Sequence, residues 1–531
     1  MLFALLLAAG PELAPMPRPV RADLPLSGLK ESVYDPGLCV LRYPVGTRSA
    51  ECQRFCDLGL GYFYSYVWME AARAFETALT HDPDCAFAWL GLHRALDKWG
   101  KGTVAPNSPL QAVGGGTLKG KPPRDYALDR ARQLMDAAPH RELLLIRAKL
   151  QERGLWKGVS ADERKKEARA TLDELLTLHE DDEEGWFARG QLAEGTHGPA
   201  PFYKALLRIN PLHPGANHEL VHFTENIKRP ALGWPFAEGY MRSSPGVPHA
   251  FHMQAHLATR VGKWTHTTDW SRKAIDLEVA YHAAQGVKPA DDHQYGHHLE
   301  VLTRSLIHDG RFAEARQVQA TAAKADIHHR PERFRLELGC GDRDAAAKVA
   351  DHYAKTDKPA GAYYRAVLAL DAGDAATAAG HVEVLRQSKD RGKAAELRLL
   401  EVQGRLLCQT GQPDAGLKLL KRAVDRTKDD FAHHAWGNGA SVMEVWGVAA
   451  LEGGRPEVAE EAFQEALAHD AGSARAALGL WAICEKAGRA EEAGRYLELA
   501  RKCWAKATPE DFARLQSRLR AGEAVAAAAG E

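Results

Sequence analysis

Two copies of one short pattern near the C-terminal end of the chain decide the fold. Each copy has a turn glycine, an alanine five positions later, a large apolar residue four positions after that, and a second alanine about one helical turn further on. The copies are Gly454-Arg-Pro-Glu-Val-Ala459-x3-Phe463-x2-Ala466 and Gly488-Arg-Ala-Glu-Glu-Ala493-x3-Leu497-x2-Ala500. Apolar residues at this spacing predict amphipathic helices, and a glycine readily takes the left-handed conformation that ends a helix. The pattern therefore predicts antiparallel helix pairs that repeat along the chain.

The same pattern occurs outside the C-terminal part. Further copies of its elements are Gly59-x2-Tyr62, Ala71-x3-Phe75-x2-Ala78 and Asp82-Pro83, with turn glycines at Gly262, Gly310, Gly373 and Gly411. Small residues let two helices approach, and an aromatic ring fills the space between them. These motifs resemble the tetratricopeptide repeat, and the interval from Gly454 to Gly488 matches its period of about 34 residues. The resemblance implies an all-α fold, a right-handed superhelical solenoid of antiparallel helix pairs.

Changes in composition divide the chain into seven predicted segments. They are a signal peptide or leader at 1–20, an extended leader at 21–48, an N-terminal repeat unit at 49–101, a Gly- and Pro-rich loop insertion at 102–124, a histidine-rich middle solenoid at 125–340, a C-terminal repeat array at 341–515 and a flexible tail at 516–531. At 531 residues the chain is too long for one compact core, which also favours a repeat array.

Charge and hydropathy narrow the classes of partner. The 69 basic and 70 acidic residues give a net charge of −1, so no electrostatic attraction favours nucleic acid. No segment approaches the length of apolar sequence that a membrane-spanning helix needs, so we expect none. The run Met1–Gly10 is short and apolar, as in a secretory signal, although no Lys or Arg precedes it. It predicts an exported or periplasmic protein; if the run is not a signal, the protein is expected in the cytoplasm.

Eight cysteines are present, and none forms the Cys-x2-Cys pair of a zinc ribbon or a thioredoxin-type site. Four of them lie near the N-terminus: Cys39, Cys52, Cys56 and Cys85. In an exported protein a disulfide between Cys39 and one of the other three is possible, and sequence does not choose between them. Small buried helix residues are the alternative interpretation.

Histidines are concentrated in the middle of the chain. Of the 24 histidines, 11 lie between residues 213 and 298, where an even spread would put about four. Three pairs have His-x3-His spacing, which places both rings on one face of a helix. The pairs are His218 with His222, His252 with His256, and His293 with His297.

The repeat frame predicts that these rings face a common site. The interval from His218 to His252 equals that from Gly454 to Gly488, and equivalent positions of consecutive repeats face the same side. In tetratricopeptide proteins the first helix of each repeat lines the concave groove, and the resemblance implies the same placement here. The predicted metal ligands are His218, His222, Glu225, His252, His256, His293 and His297, with His213, His249, Glu300 and Arg304 as further groove residues. Zinc or another transition metal is the expected ion. A metal-free hydrogen-bonded His/Glu network, or histidines with no joint role, are the alternatives.

A sharper motif lies inside this region. His218-Glu219-Leu-Val-His222 satisfies His-Glu-x2-His, in which two histidines hold zinc and the glutamate activates water. The third ligand is expected from Glu225, His252 or His256. The motif therefore favours a zinc hydrolase with Glu219 as general base, whereas the continuation of the histidine stripe into the next repeat favours a binding site.

Larger parts of the chain resemble a group of exported bacterial tetratricopeptide proteins with a histidine-rich middle region. The resemblance is carried by Cys52-Gln-Arg-Phe-Cys-Asp-Leu-Gly-Leu60 through Asp82-Pro-Asp-Cys-Ala86, by His213-Pro-Gly-Ala-Asn-His218 with His222 and Glu225, and by His252-x3-His256 before Val261-Gly262. The chain departs from the group at Glu219, where an aromatic or aliphatic residue is expected, and at Glu300, where another histidine is usual. The resemblance implies the fold and export, and leaves the chemistry open.

Three functions are consistent with these observations. The first is a scaffold that binds a protein or peptide in its concave groove and carries a His/Glu metal site. The second is the zinc hydrolase, and the third is a metal-free protein–protein adaptor. A nucleotide hydrolase is not indicated, because Gly115-x4-Gly120-Lys121 is followed by Pro122 instead of the hydroxyl residue that a phosphate-binding loop needs.

Overall fold

A computed structural model describes residues 21–100, 122–389, 392–428 and 439–528, and of His293 and residues 521–528 it describes the backbone alone. These residues form 25 α-helices joined by short connections, with no strand beyond one isolated bridge between Asp23 and Lys30. Most helices that follow one another in sequence pack against one another, as expected for helical hairpins. The predicted all-α fold of tetratricopeptide-like helix pairs is confirmed.

The chain divides into two compact units. The first holds residues 21–34 and 42–171, and the second holds residues 35–41 and 172–528 of the described chain. The predicted signal segment 1–20 and most of the predicted loop 102–124 lie outside the described residues, so export stays a prediction. Among the residues described, no helix combines the length and the apolar character needed to cross a membrane.

The first unit is built from five complete helices. They are α1 (Ala50–Tyr64), α2 (Trp68–His81), α3 (Ala86–Trp99), α4 (Pro123–Leu134) and α5 (His140–Glu152), while α6 (Arg164–Leu178) crosses the boundary between the units. Phe75 of α2 is buried between α1 and α3, where it faces Gly59 and Gly91. A Cβ atom on Gly59 would lie 2.9 Å from the Phe75 ring, and one on Gly91 would lie closer still. Glycine is therefore required at both positions for the three helices to pack.

The extended leader of the first unit is held by acceptors on the helices. Glu76 accepts hydrogen bonds from the backbone N–H groups of Leu26 (2.5 Å) and Ser27 (2.8 Å). Asp57 accepts from the Tyr43 N–H at 3.0 Å. An extended segment outside a sheet has backbone donors that must find partners elsewhere, and buried carboxylates supply them here.

The second unit begins with the helices that carry the histidines. They are α7 (Glu183–Gln191), α8 (Pro199–Ile209), α9 (Pro214–Asn226), α10 (Trp234–Ser243), α11 (Pro248–Arg260), α12 (Trp264–Gln285), α13 (His293–His308), α14 (Phe312–Lys324) and α15 (Arg330–Gly339). Proline at the first position suits α9 and α11, because its fixed φ fits a helix and its missing N–H would have had no intrahelical partner. The predicted start of α11 at Pro248 and its end before Gly262 agree with the structure.

Ten further helices complete the second unit. They are α16 (Arg343–Thr356), α17 (Lys358–Asp371), α18 (Ala375–Gln387), α19 (Lys393–Gln409), α20 (Pro413–Thr427), α21 (Gly439–Glu452), α22 (Pro456–His469), α23 (Ala474–Lys486), α24 (Ala490–Cys503) and α25 (Pro509–Ala528). Helix α25 continues into the segment 516–531 that the sequence predicts as a flexible tail, since alanine strongly favours helix. Gly454 and Gly488 have φ of 67° and 71°, as the two copies of the repeat pattern predict.

The C-terminal repeat uses the same packing device as the first unit. Phe463 of α22 is fully buried between Gly447 of α21 and Gly479 of α23. A Cβ on Gly447 would lie 2.6 Å from the ring. The interval between each glycine and the phenylalanine is the same here as for Gly59, Phe75 and Gly91. Both ends of the chain therefore contain the same three-helix repeat element.

The turn before α12 packs against the C-terminal helices of the same unit. The Trp264 indole N–H donates to the buried Asp470 carboxylate at 3.0 Å, and His308 stacks on the Trp264 ring with centroids 3.9 Å apart. The Trp504 indole N–H donates to the carbonyl oxygen of His308 at 2.6 Å. These contacts fix the ends of α11 and α13, the two helices that carry most of the histidine cluster.

Candidate metal centre

Three helices of the second unit bring seven imidazoles together. The rings are those of His218 and His222 on α9, His249, His252 and His256 on α11, and His297 and His298 on α13, and we call them the histidine cluster. Each of the three helices starts at a defined residue, which sets where its histidines point. His213 accepts a hydrogen bond from the Ala216 N–H at the start of α9, and Asp292 accepts one from the Gln294 N–H at the start of α13.

The first group in the cluster lies between α9 and α11. One ring nitrogen from each of His218, His222 and His249 lies within 4.8 Å of the other two. The Nε2 atoms of His218 and His249 are 3.1 Å apart. On its other side the His218 ring stacks on Tyr240 of α10, with centroids 4.9 Å apart and an interplanar angle of 15°. His218 is therefore held from both sides, while the His222 side chain is 32% exposed and faces the margin of the cluster.

Two further groups lie between α11 and α13. His249, His252 and His298 form one, and His252, His256 and His297 form the other, each with ring nitrogens within 4.8 Å of one another. The ring centroids of His252 and His298 are 4.0 Å apart, and those of His252 and His256 are 4.1 Å apart. Since the groups share His249 and His252, the cluster is one continuous row of imidazoles with α11 at its centre.

Carboxylates lie behind the imidazoles at the margin of the row. Glu225 Oε2 is 3.4 Å from His222 Nδ1, and Glu225 Oε1 is 3.8 Å from His256 Nδ1. Arg260 Nε donates to the same carboxylate at 2.6 Å. On α13, Glu300 Oε2 is 3.4 Å from His297 Nδ1. Outer carboxylates beside Nδ1 are a common feature of metal-binding histidines.

The charge balance of this site favours an ionised Glu225. Burial alone would raise its pKa, yet the adjacent His222 and His256 rings and the positive charge of Arg260 lower it overall. The pKa of Glu300 is lowered to about 2, first by its hydrogen bond with His297 and then by the charge of Arg304. Arg304 donates to both Glu300 and Glu332 at 2.7 Å. Both margin carboxylates are therefore anionic at neutral pH.

The inner end of the row is closed by a second set of acids. Glu278 Oε1 of α12 lies 2.9 Å from His298 Nδ1, and His282 Nε2 lies 2.9 Å from an Asp292 carboxylate oxygen. Burial and the nearby charge of Asp292 raise the pKa of Glu278 well above its usual range. Burial lowers the pKa of His298 to about 4. The site thus favours neutral forms of both Glu278 and His298.

Burial also keeps the other imidazoles neutral. His218, His249, His252, His256 and His298 are all buried, with at most 9% of each residue exposed. Burial first, and then the neighbouring imidazoles, lowers the pKa of His252 well below its usual value, and burial lowers the pKa of His256 to about 4. Neutral imidazole is the form that binds a metal ion, so these side chains would need to lose no proton to hold one.

Two buried nitrogens of the cluster have no hydrogen-bond partner among the described residues. They are Nδ1 of His252 and Nε2 of His298. Leaving a buried polar group without a partner costs about 1–3 kcal/mol, so native proteins rarely do so without a reason. A cation held by these rings satisfies such a nitrogen, and the residues present therefore fit a metal ion.

The structure places the remaining sequence-predicted residues as follows. His213 caps α9 and stacks on Phe187 with centroids 5.9 Å apart, outside the three ligand groups. The side chain of His293 lies outside the described residues. Glu219 acts on Tyr203 of α8, whose pKa is raised by burial first and by the Glu219 charge second. His218 meets His249, which lies one turn before His252, the residue equivalent to His218 in the repeat frame.

His298 was missed by sequence reasoning, which selected His297 by its spacing from His293. A signal for it is present in the sequence. His298 shares the buried face of α13 with Tyr295 and Leu302, which are 4% and 3% exposed. A histidine in an otherwise apolar stripe points inward, and inward on α13 is toward α11.

Comparison with known proteins adds to the evidence from the geometry. The family profile described as tetratricopeptide repeat matches residues 445–509. This part of the chain is a tetratricopeptide-repeat region. It covers the end of α21 and all of α22, α23 and α24, and so includes Phe463 and its two flanking glycines, Gly447 and Gly479. No curated protein matches the chain by sequence.

Several solved structures match this chain over most of its length, each at low identity and a low TM-score. The alignment with a structure of the APC/C hetero-tetramer Cut9-Hcn1 covers 87% of this chain and 79% of the matched chain, at 14% identity and a TM-score of 0.32. The Naa15/Naa10 structure bound to HypK-THB covers 90% and 82%, at 13% identity and a TM-score of 0.28. A human IFIT1 dimer with m7Gppp-AAAA covers 86% and 91%, at 13% identity and a TM-score of 0.27. At TM-scores this low, nothing about partners or ligands follows for this chain.

Proposed function

We propose that this protein is a tetratricopeptide-repeat scaffold for protein binding whose histidine cluster holds a transition-metal ion, with zinc as the representative ion. The repeat region at residues 445–509 supports the scaffold, since such repeats are built to present helices to a protein partner. The cluster supports the metal site, since neutral imidazoles from three helices converge without another described role.

One observation carries the metal proposal. His252, His256 and His297 place ring nitrogens within 4.8 Å of one another, and Glu225 and Glu300 lie at Nδ1 of His256 and His297. Three imidazoles with outer carboxylates are a ligand set that zinc proteins use, with a fourth position left for water or another ligand. His297 is 40% exposed on its side chain, so an ion can reach this group from solvent.

Metal content of the purified full-length chain tests the proposal. After chelation and reloading with zinc, wild type should retain a stoichiometric ion through desalting, and His252→Ala should lose it. His93→Ala is the matched control, because His93 is also buried but lies in the first unit, where it bonds the Arg124 carbonyl oxygen at 2.9 Å. Thermal unfolding of both variants separates loss of a ligand from loss of the fold. Zinc retained by His252→Ala, or not retained by wild type, contradicts the proposal.

A zinc hydrolase is the second candidate, favoured by the first ligand group. His218 and His222 of the His-Glu-x2-His motif gain a third imidazole from His249, in place of the Glu225, His252 or His256 expected from sequence. The base that this chemistry needs is Glu219, whose charge acts on Tyr203 of α8. The carboxylate that lies beside the His222 and His256 rings is Glu225 instead of Glu219. The geometry therefore favours a metal-binding scaffold over a hydrolase.

A further inference from the structure

The first unit contains a second cluster of metal-ligating side chains. Cys52 and Cys56 lie one turn apart on α1, and Cys85 is the residue directly before α3. The three Sγ atoms all lie within 4.8 Å of one another. Each of the three residues is 0% exposed, and none forms a disulfide. Single buried cysteines usually pack as small apolar residues. Three buried thiols that lie together instead form a group that could bind one ligand.

The spacing of the sulfurs fits one shared ion. Thiolate sulfurs bind at about 2.3 Å from a metal, so three sulfurs around one centre lie about 4 Å from one another. The observed upper limit of 4.8 Å needs only small side-chain rotations to reach that value. Among the described residues, the ligand group consists of sulfur alone. A donor set of three thiolates selects soft cations, and three-coordination suits Cu(I) better than the four-coordinate zinc ion.

We propose that Cys52, Cys56 and Cys85 form a trigonal thiolate site for Cu(I). Binding forms three Cu–S bonds, and the protons still carried by the thiols pass to solvent. Neither the metal nor the sulfur changes oxidation state, because the ion enters as Cu(I). The site joins α1 to the start of α3 across α2, the same three helices that Phe75 holds together. Metal binding here should therefore stabilise the fold of the first unit.

The test is the transfer of Cu(I) from its bicinchoninate complex to the full-length, reduced protein under anaerobic conditions. The decrease in the absorbance of the complex measures the transfer. Wild type should take up one equivalent that Cys56→Ala does not. Cys484→Ala is the matched control, since Cys484 is also fully buried but packs in the C-terminal core. His252→Ala should keep this equivalent, which separates the cysteine site from the histidine cluster and from the proposed function.

X-ray absorption of copper-loaded wild type supplies a readout that needs no variant to fold. The expected first shell is sulfur alone at three-coordination. A shell containing nitrogen, or uptake that is lost in His252→Ala and kept in Cys56→Ala, would overturn the proposal in favour of the histidine cluster. Tight zinc binding with a fourth non-sulfur ligand would overturn the assignment to a soft monovalent ion. Thiol titration showing fewer than eight free cysteines in the reduced protein would overturn the free-thiol arrangement.

Discussion

The Nε2 atoms of His218 and His249 lie 3.1 Å apart, with the two rings at 77° to each other. Two neutral imidazoles make this contact only if one presents its N–H and the other its lone pair. A metal ion needs the lone pair of both nitrogens, so this hydrogen bond competes with metal binding at the first ligand group. The three groups of the cluster should therefore differ in their affinity for zinc.

His218→Ala should keep most of the zinc that wild type binds, whereas His252→Ala should lose it. His252 belongs to two of the three ligand groups, while His218 belongs to the one whose nitrogens are already bonded to each other. Competition with a chromophoric zinc chelator measures both affinities. Loss of zinc in His218→Ala with retention in His252→Ala would place the ion at the first group instead.

Glu225→Gln should weaken zinc binding by about 10- to 100-fold, the usual effect of removing an outer carboxylate. The carboxylate lies beside His222 and His256 and pairs with Arg260, so its loss also leaves a buried cation without its anion. Glu337→Gln is the control, because Glu337 is equally buried and pairs with Arg316 away from the cluster. If both variants bind zinc alike, Glu225 does not orient the ligands.

Glu219→Gln separates binding from hydrolysis. Since the Glu219 charge acts on Tyr203, we expect unchanged zinc content and an unchanged melting temperature. The measurement is metal analysis beside a screen for hydrolysis of peptide and ester substrates. Zinc-dependent hydrolysis in wild type that disappears in Glu219→Gln would establish the enzyme and show that this side chain reaches the site.

Gly91→Ala should destabilise the first unit, because the new Cβ would meet the Phe75 ring. Phe75→Ala should cost about 3–5 kcal/mol as a large-to-small change in a packed core. The double variant Gly91→Ala with Phe75→Ala should be more stable than the sum of the two single effects predicts, since removal of the ring makes room for the new Cβ. Urea unfolding followed by circular dichroism measures all three, and additive losses would show that the two residues are not packed together.

Asp470→Asn should make the free energy of unfolding depend less on pH between about pH 5 and about pH 8. Burial raises the pKa of Asp470 to about 7 from its ordinary 3.8, so the folded chain binds this proton more tightly than the unfolded chain. This contribution is present at low pH and is lost as pH rises through the folded pKa. The asparagine oxygen can still accept from the Trp264 indole. Melting temperatures at about pH 5 and about pH 8 should therefore differ less in the variant.

Helix type, turns and the stripes of histidine were accessible from sequence because they depend on local periodicity. Pro248 and Gly262 bound α11 as predicted, and Gly454 and Gly488 have the left-handed backbone that the pattern requires. The offset between neighbouring helices such as α9 and α11 could not be predicted from the sequence. A repeat of constant length fixes which positions are equivalent, but side-chain length and helix tilt decide that His218 meets His249.

Burial of the cluster was also beyond the sequence argument, which placed the histidines along an open groove. Five of the seven imidazoles are buried, because Tyr240 covers His218 on one side and the acid Glu278 closes the row beside His298. The His-x3-His spacing that selects the histidines gives no indication of Tyr240 or Glu278. The sequence indicates Cys52, Cys56 and Cys85 only as possible disulfide partners of Cys39 or as buried helix residues. The packing of α1 against the start of α3 shows that all three sulfurs lie together.

The hydrogen bonds from Leu26 and Ser27 to Glu76 bear on where the first unit can be cut. Glu76 is 3% exposed, and burial raises its pKa even though those backbone groups bond to it. A protein trimmed to begin at α1 would lose both the two amides that bond to that carboxylate and the leader residues that pack over it. The non-helical residues before α1 therefore complete the core of the first unit, and a stable fragment of this unit has to include them.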